Sequence, residues 1–192
     1  MLSPDSYGSG KSPEWLSDRE IYLQDEVELL APVFSAAGPR LSMVGHSYGA
    51  AMALIAALQH RSRVSAMALY EPTLFSLVDA RHPKPNGADG IRNAVAAAAT
   101  ELRQGNKDAA AGHFIDFWMG NGSWAATPAQ RQLAIADSVV NVNRWSHALF
   151  REPTPVEAFA ALDMPVPYIF GDCAVPARGL TRRSSRPARQ AL

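Results

Sequence analysis

The chain has 192 residues, 47% of them apolar, which is enough for one domain with a sizeable core. Its 18 basic and 18 acidic side chains give zero net charge, so composition offers no polyanion-binding bias toward nucleic acid or an anionic membrane. The single cysteine, Cys173, excludes an internal disulfide and argues against a cysteine metal cluster.

The opening stretch, MLSPDSYGSGKSPEW, lacks the apolar region of a secretory signal. No apolar run approaches membrane-spanning length, so the expected protein is soluble and cytoplasmic. Residues 8–12, GSGKS, end like a phosphate-binding loop. That pattern needs glycine five positions before Gly10, where Asp5 stands, and a strand before it, for which there is no room. Nucleotide binding is therefore not expected.

Residues 17–37 read as a helix, with Ser17 and Glu20 forming a capping box. Ile21, Leu23, Val27, Leu29, Leu30 and Phe34 supply its apolar face, and Gly38-Pro39 ends it. Residues 40–45, RLSMVG, read as a buried strand, and 48–60 as an Ala- and Leu-rich helix. Residues 64–71, VSAMALYE, read as a second strand stopped by Pro72. Alternating helices and strands predict a parallel α/β sheet.

Residues 73–90 read as loop, because RHPKPNGADG is dense in breakers. Helices are expected near 91–104, 107–119 and 128–149, with Phe114, Phe117, Trp118, Trp124 and Trp145 among them. A third strand is expected at 164–171, MPVPYIFG, where Pro165 and Pro167 suit the beginning rather than the middle. After Asp172 the chain holds Arg178, Arg182, Arg183, Arg186 and Arg189 and no acid. Subtracting those five leaves 13 basic against 18 acidic side chains in residues 1–172, a net of −5. We read the arginines as a solvated helix or chain end.

Gly45-His46-Ser47-Tyr48-Gly49 fits Gly-x-Ser-x-Gly, with an apolar strand before it and a helix after it. The chemistry needs this spacing. A nucleophilic serine must sit on a sharp strand-to-helix turn, with small residues two positions either side so that the backbone can pass. The helix N-terminus then places the Tyr48 N–H where it can donate to a developing oxyanion. The competing reading is a turn whose serine merely caps the helix.

With that motif in its setting, the chain resembles the α/β-hydrolase superfamily. PDSYGSGKS resembles the loop after that family's fourth strand, GHSYGA its nucleophile elbow, LYEP the end of its sixth strand, and MPVPYIFGD its seventh. The resemblance implies a partial α/β-hydrolase fold: a mostly parallel sheet of about strands four to seven, with a helical cap inserted between two strands. It implies core over residues 1–72 and 161–192 and cap over 73–160. It implies a serine hydrolase acting on a small, apolar ester or related acyl bond, with no metal or organic cofactor.

The resemblance also implies site residues. Ser47 is the nucleophile and Tyr48 an oxyanion-hole donor. The acid is Glu71, at the end of the second strand, or Asp172, after the third. The family's base is a histidine after an eighth strand, yet His46, His60, His82, His113 and His147 all precede the third strand. The second oxyanion donor belongs to an earlier loop that nothing before Met1 supplies. The expectation is therefore a hydrolase chain truncated at both ends and impaired for want of its histidine. The alternative is a non-catalytic remnant that binds a ligand or partner.

Overall fold

A computed structural model describes residues 1–171. Asp172, Cys173 and the arginine-rich tail lie outside the described residues.

The first helix begins later than the sequence suggested. α1 spans Leu23–Leu29 and α2 spans Ala31–Ala36. Ser17 does not cap it: its Oγ accepts the Arg19 N–H, a local turn. The N-cap is Tyr22, whose N–H donates to Asp25 at 2.8 Å, and Arg19 folds back onto the same carboxylate. Pro32 divides the two helices, since it has no N–H to continue the hydrogen-bond ladder. The expected apolar face holds except at Leu29: Ile21, Leu23, Val27, Leu30 and Phe34 are buried, and Leu29 is half-buried.

β1 (Leu41–His46) and β2 (Val64–Tyr70) pair in parallel, with His46 opposite Tyr70. The helix α3 (Tyr48–Gln59) crosses between them. Its small residues Ala50, Ala53 and Ala57 lie with Met67 and Leu69 of β2. Met52 and Ile55, on its other side, pack among Leu23, Val27 and Phe34. A helix buried on two faces needs apolar residues on both, which explains why 48–59 is rich in Ala and Leu without a polar stripe.

β1 is not the fully buried strand that its composition suggested. Ser42 and Val44 are exposed, Val44 at 85%. An apolar run makes a strand able to be buried on both faces; its neighbours decide whether it is.

β3 (Tyr168–Ile169) completes the order β1-β2-β3, all parallel. The carbonyls of Pro165 and Pro167 accept the Met67 and Leu69 N–H groups at 3.0 Å each, so pairing begins before the assigned strand. Proline can accept but not donate, which suits this edge position.

Between β2 and β3 lie α4 (Phe75–Arg81), α5 (Asp89–Arg103), α6 (Lys107–Met119), α7 (Ser123–Ala126), α8 (Ala129–Ser138) and α9 (Val142–Phe150). Short 3₁₀ turns occupy Val139–Asn141 and Val156–Ala161. α4 falls where only loop was expected. Leu74, Phe75 and Val78 bury one side of it, and the breakers begin only at its end. Arg92 on α5 donates to both Asp79 oxygens at 2.8 Å and lies over the Phe150 ring, tying α4, α5 and α9 together. Among the described residues, no helix is long and apolar enough to cross a membrane.

Candidate active site

The site forms where β1 and β2 end. The chain leaves β1 at Ser47 with φ 51° and ψ −119°, a conformation that non-glycine residues rarely adopt. Two backbone contacts hold it there. The Ser47 N–H donates to the Tyr70 carbonyl at 2.9 Å, and the Ser47 carbonyl accepts the Ala50 and Ala51 N–H groups at 3.1 and 3.2 Å. The side chain makes no capping bond although Ser47 occupies the N-cap position. A serine there ordinarily spends its oxygen on the helix; this hydroxyl is left out of that role.

Gly45 makes the turn possible. A Cβ there would lie 2.5 Å from Ala50 Cα, 2.6 Å from the Gly49 carbonyl oxygen and 2.7 Å from the Ala50 nitrogen. Gly49 is different: a Cβ there would meet nothing within 4 Å. The expectation of close backbone passage on both sides of the serine therefore holds on the strand side alone.

Tyr48 is the first residue of α3, so its N–H belongs to the first turn, which has no intrahelical acceptor. Its side chain goes the opposite way, into the protein. The phenol donates to Glu26 Oε1 at 3.0 Å, and its ring lies 5.9 Å from that of Trp145. Burial, and then the nearby Glu26 charge, push the Tyr48 phenol well above the ordinary tyrosine range. Glu26 is fully buried on α1, and its Oε2 accepts the Tyr7 N–H at 3.1 Å. Burial raises its carboxyl above the usual range, and the bonds from Tyr7 and Tyr48 offset part of that rise.

Glu71, next after β2, is the second non-glycine residue at positive φ, 46°. Its N–H donates to the Ile169 carbonyl, which places it on the β3 side of the site. Oε1 accepts the Gly171 N–H at 2.9 Å, and Oε2 lies 4.0 Å from His46 Nε2. The His46 ring stacks on Tyr70 at 4.8 Å and its side chain is 63% exposed.

The structure thus brings Ser47, Tyr48 and Glu71 to one end of the sheet, while Asp172 lies outside the described residues. The other histidines lie on other elements. His147 Nδ1 lies 3.1 Å from the Ile21 carbonyl oxygen, and His60 packs on Phe34 at the far end of α3. His82 caps α4, and His113 is within α6. Among the described residues, no histidine hydrogen-bonds the Ser47 hydroxyl, and no group of three His, Cys, Asp or Glu side chains could hold a metal ion.

The GSGKS loop is closed by its own acid. Asp5 Oδ2 accepts the Lys11 N–H at 3.2 Å, and a Cβ at Gly10 would collide with the same carboxylate. An anion cradle needs those amides free. Two buried side chains hold the loop at adjacent residues: Glu26 takes the Tyr7 N–H, and Asn141 donates to the Gly8 carbonyl at 2.9 Å. Sequence reasoning missed Glu26, although helical spacing marks it. It lies three residues after Leu23 and four before Leu30, both buried.

A family model described as the alpha/beta hydrolase fold matches residues 2–154. Several solved structures are similar. An alpha/beta hydrolase from Sphaerobacter thermophilus is 22% identical with a TM-score of 0.58, over 89% of this chain and 63% of that one. MGS-M2, an alpha/beta hydrolase enzyme from a Medee basin deep-sea metagenome library, is 18% identical with a TM-score of 0.60, over 85% and 58%. The epoxide hydrolase CorEH is 17% identical with a TM-score of 0.64, over 88% and 64%. At these identities the likeness is one of fold. The chain spans between 58% and 64% of the length of these three proteins. No curated protein matches it.

Proposed function

The chain belongs to the alpha/beta hydrolase fold family, and from that premise we propose that it is built for acyl hydrolysis through Ser47 on a small, apolar ester or related substrate. Ser47 Oγ attacks the acyl carbon as a base takes its proton, the protonated base passes that proton to the departing alkoxide, and the alcohol leaves; water, giving a proton to the same base, then adds to the acyl-serine, and the acid leaves as Ser47 Oγ takes the proton back. The Tyr48 N–H stabilises the oxyanion at the helix N-terminus. Glu71 is the acid, at the C-terminal end of a strand where open α/β sheets place their chemistry; Asp172 is its alternative. Helices α4–α9 form the cap, within residues 73–160, between core segments 1–72 and 161–192. Trp145 of this cap, whose buried indole N–H has no partner among the described residues, holds its ring 5.9 Å from that of Tyr48.

One observation carries the proposal. Ser47 is held at positive φ on a strand-to-helix turn, with its hydroxyl unused for capping. Strain of this kind costs about 1–3 kcal/mol and persists where the surroundings enforce it. A mere cap would need no such conformation.

A second reading, ligand binding without turnover, draws on the histidines. Glu71 Oε1 accepts the Gly171 N–H and Oε2 faces His46, and among the described residues no imidazole hydrogen-bonds the Ser47 hydroxyl. General-base catalysis contributes about 10²–10⁴-fold, so a serine without a base partner would turn over more slowly by about that factor. An alkyl fluorophosphonate separates the readings. Covalent labelling of Ser47, lost in Ser47→Ala, supports the hydrolase. A folded, unlabelled protein favours the binding role.

A further inference from the structure

We infer that Glu26 is a positioning residue for the Ser47 elbow: its buried carboxylate grips the Tyr48 hydroxyl and the Tyr7 amide together, and so fixes the helix N-terminus beside the serine. This rests on the reading of Ser47 as a nucleophile.

Glu26 is an expensive choice for its place. It sits on the face of α1 that buries Leu23, Val27 and Leu30, where leucine or methionine would pack without desolvating a charge. A buried carboxylate is tolerated when its oxygens are matched to donors, and both of these are. The donors come from different parts of the chain. Tyr7 belongs to the loop that precedes α1; Tyr48 follows Ser47 directly. One side chain therefore locks the loop and the elbow to a single point.

The loop has little freedom to give way. Asn141, buried at 2% exposure, holds the carbonyl of the next residue, Gly8. A Cβ at Gly8 would lie 2.8 Å from the Asn141 oxygen, and Gly8 has φ 69°. Arg144 donates to that oxygen at 3.1 Å and reaches Glu14 at 3.4 Å. Tyr48 is thus anchored to a clamped loop rather than to a yielding one. The consequence for the site is geometric: Tyr48 is held at its hydroxyl, so its N–H, at the other end of the residue, is fixed beside Ser47. Misplacing such a donor by an ångström costs up to about 10²-fold in rate.

The test uses the full chain, its Glu26→Gln and Tyr48→Phe variants, and Val95→Ala in α5 as a control that loses core packing away from the elbow. Two readouts are taken: the rate constant and affinity of Ser47 phosphonylation by an alkyl fluorophosphonate, and amide exchange at Tyr7, Ala50 and Ala51. If the wild type labels, the expected result is a roughly 10- to 100-fold fall in the rate constant for Glu26→Gln and Tyr48→Phe, with affinity unchanged and Val95→Ala unaffected. Unchanged rate constants in both variants would overturn the inference. If the wild type folds but does not label, the nucleophile reading fails and exchange decides the contact alone. Exchange at Ala50 and Ala51 roughly tenfold faster in both variants, but not in Val95→Ala, supports the hold on the elbow. Exchange equal to wild type overturns it. Tyr48→Phe keeps the ring and removes only the hydroxyl, so the question survives if Glu26→Gln does not fold.

Discussion

The two sides of the elbow are built on opposite terms. On the strand side, Gly45 faces backbone at 2.5–2.7 Å and leaves no room for a side chain. On the helix side, Gly49 faces open space, and the position is fixed instead from beneath, through Tyr48 and Glu26. The same motif letter is thus a steric necessity at one position and a free choice, as far as packing goes, at the other. A pattern match weights the two glycines equally; the physics does not.

The largest effect should come from closing the strand side further. Gly45→Ala forces either the Ala50 backbone or the end of β1 to move, because the atoms it meets are main chain and cannot swing away. Overpacking of this kind costs about 1–3 kcal/mol. Urea unfolding should register that loss, and labelling of Ser47 should disappear with it. A Gly45→Ala protein of wild-type stability would mean that the turn is looser than described.

Next comes the residue between them. Glycine accepts the Ser47 conformation at no steric cost, so Ser47→Gly should stabilise the chain by about 1 kcal/mol, the strain relieved less the extra freedom of the unfolded chain. Ser47→Ala keeps the strain and should leave the unfolding midpoint where it was. A loss of stability in Ser47→Gly would show that the hydroxyl, not the fold, holds the turn. The pair of variants therefore distinguishes a serine kept for chemistry from one kept for structure.

The support beneath the helix side titrates in a sense opposite to its neighbour. Asp25 and Glu26 are adjacent on α1. The Arg19 hydrogen bond holds the Asp25 carboxyl below its usual value. Its contribution is therefore complete above the unfolded value, about 3.9, and is lost as pH falls through the lower folded value. Burial raises Glu26. Its contribution is complete below the unfolded value, about 4.3, and is lost as pH rises through the higher folded value. Asp25→Asn should flatten the acid limb of a stability–pH curve, and Glu26→Gln should flatten the decline on the rising side. Identical curves for the two variants would remove the distinction between a paired carboxylate and a buried one.

How much of this was legible depended on how local the cause was. The elbow is decided within two residues of Ser47, so sequence marked it, together with β1, α3 and β2 around it. The late start of α1 turns on Arg19 reaching Asp25 six residues on, which outcompetes a Ser17 cap. α4 was hidden because its apolar side is short and the breakers after it dominate the window. Glu26 was hidden for a different reason: apolar periodicity describes which positions are buried, and a polar residue at such a position is skipped rather than questioned. The partners of Glu71 were beyond reach altogether, since Gly171 lies a hundred residues away in sequence.

The smallest expected effect is on the open side. Gly49→Ala adds a methyl where nothing stands within 4 Å and replaces the poorer helix former in the first turn of α3. The gain should be about 0.5 kcal/mol, read as a small rise in the urea midpoint. Labelling then says what the space is for. If the alanine protein is more stable and labels like the wild type, the helix-side glycine is not needed for entry of the probe. If it is more stable but labels slowly, the gap beside Gly49 is part of the approach to Ser47, and the glycine serves access where its partner at 45 serves the fold. A loss of stability would contradict the open space itself, and with it the asymmetry of the elbow.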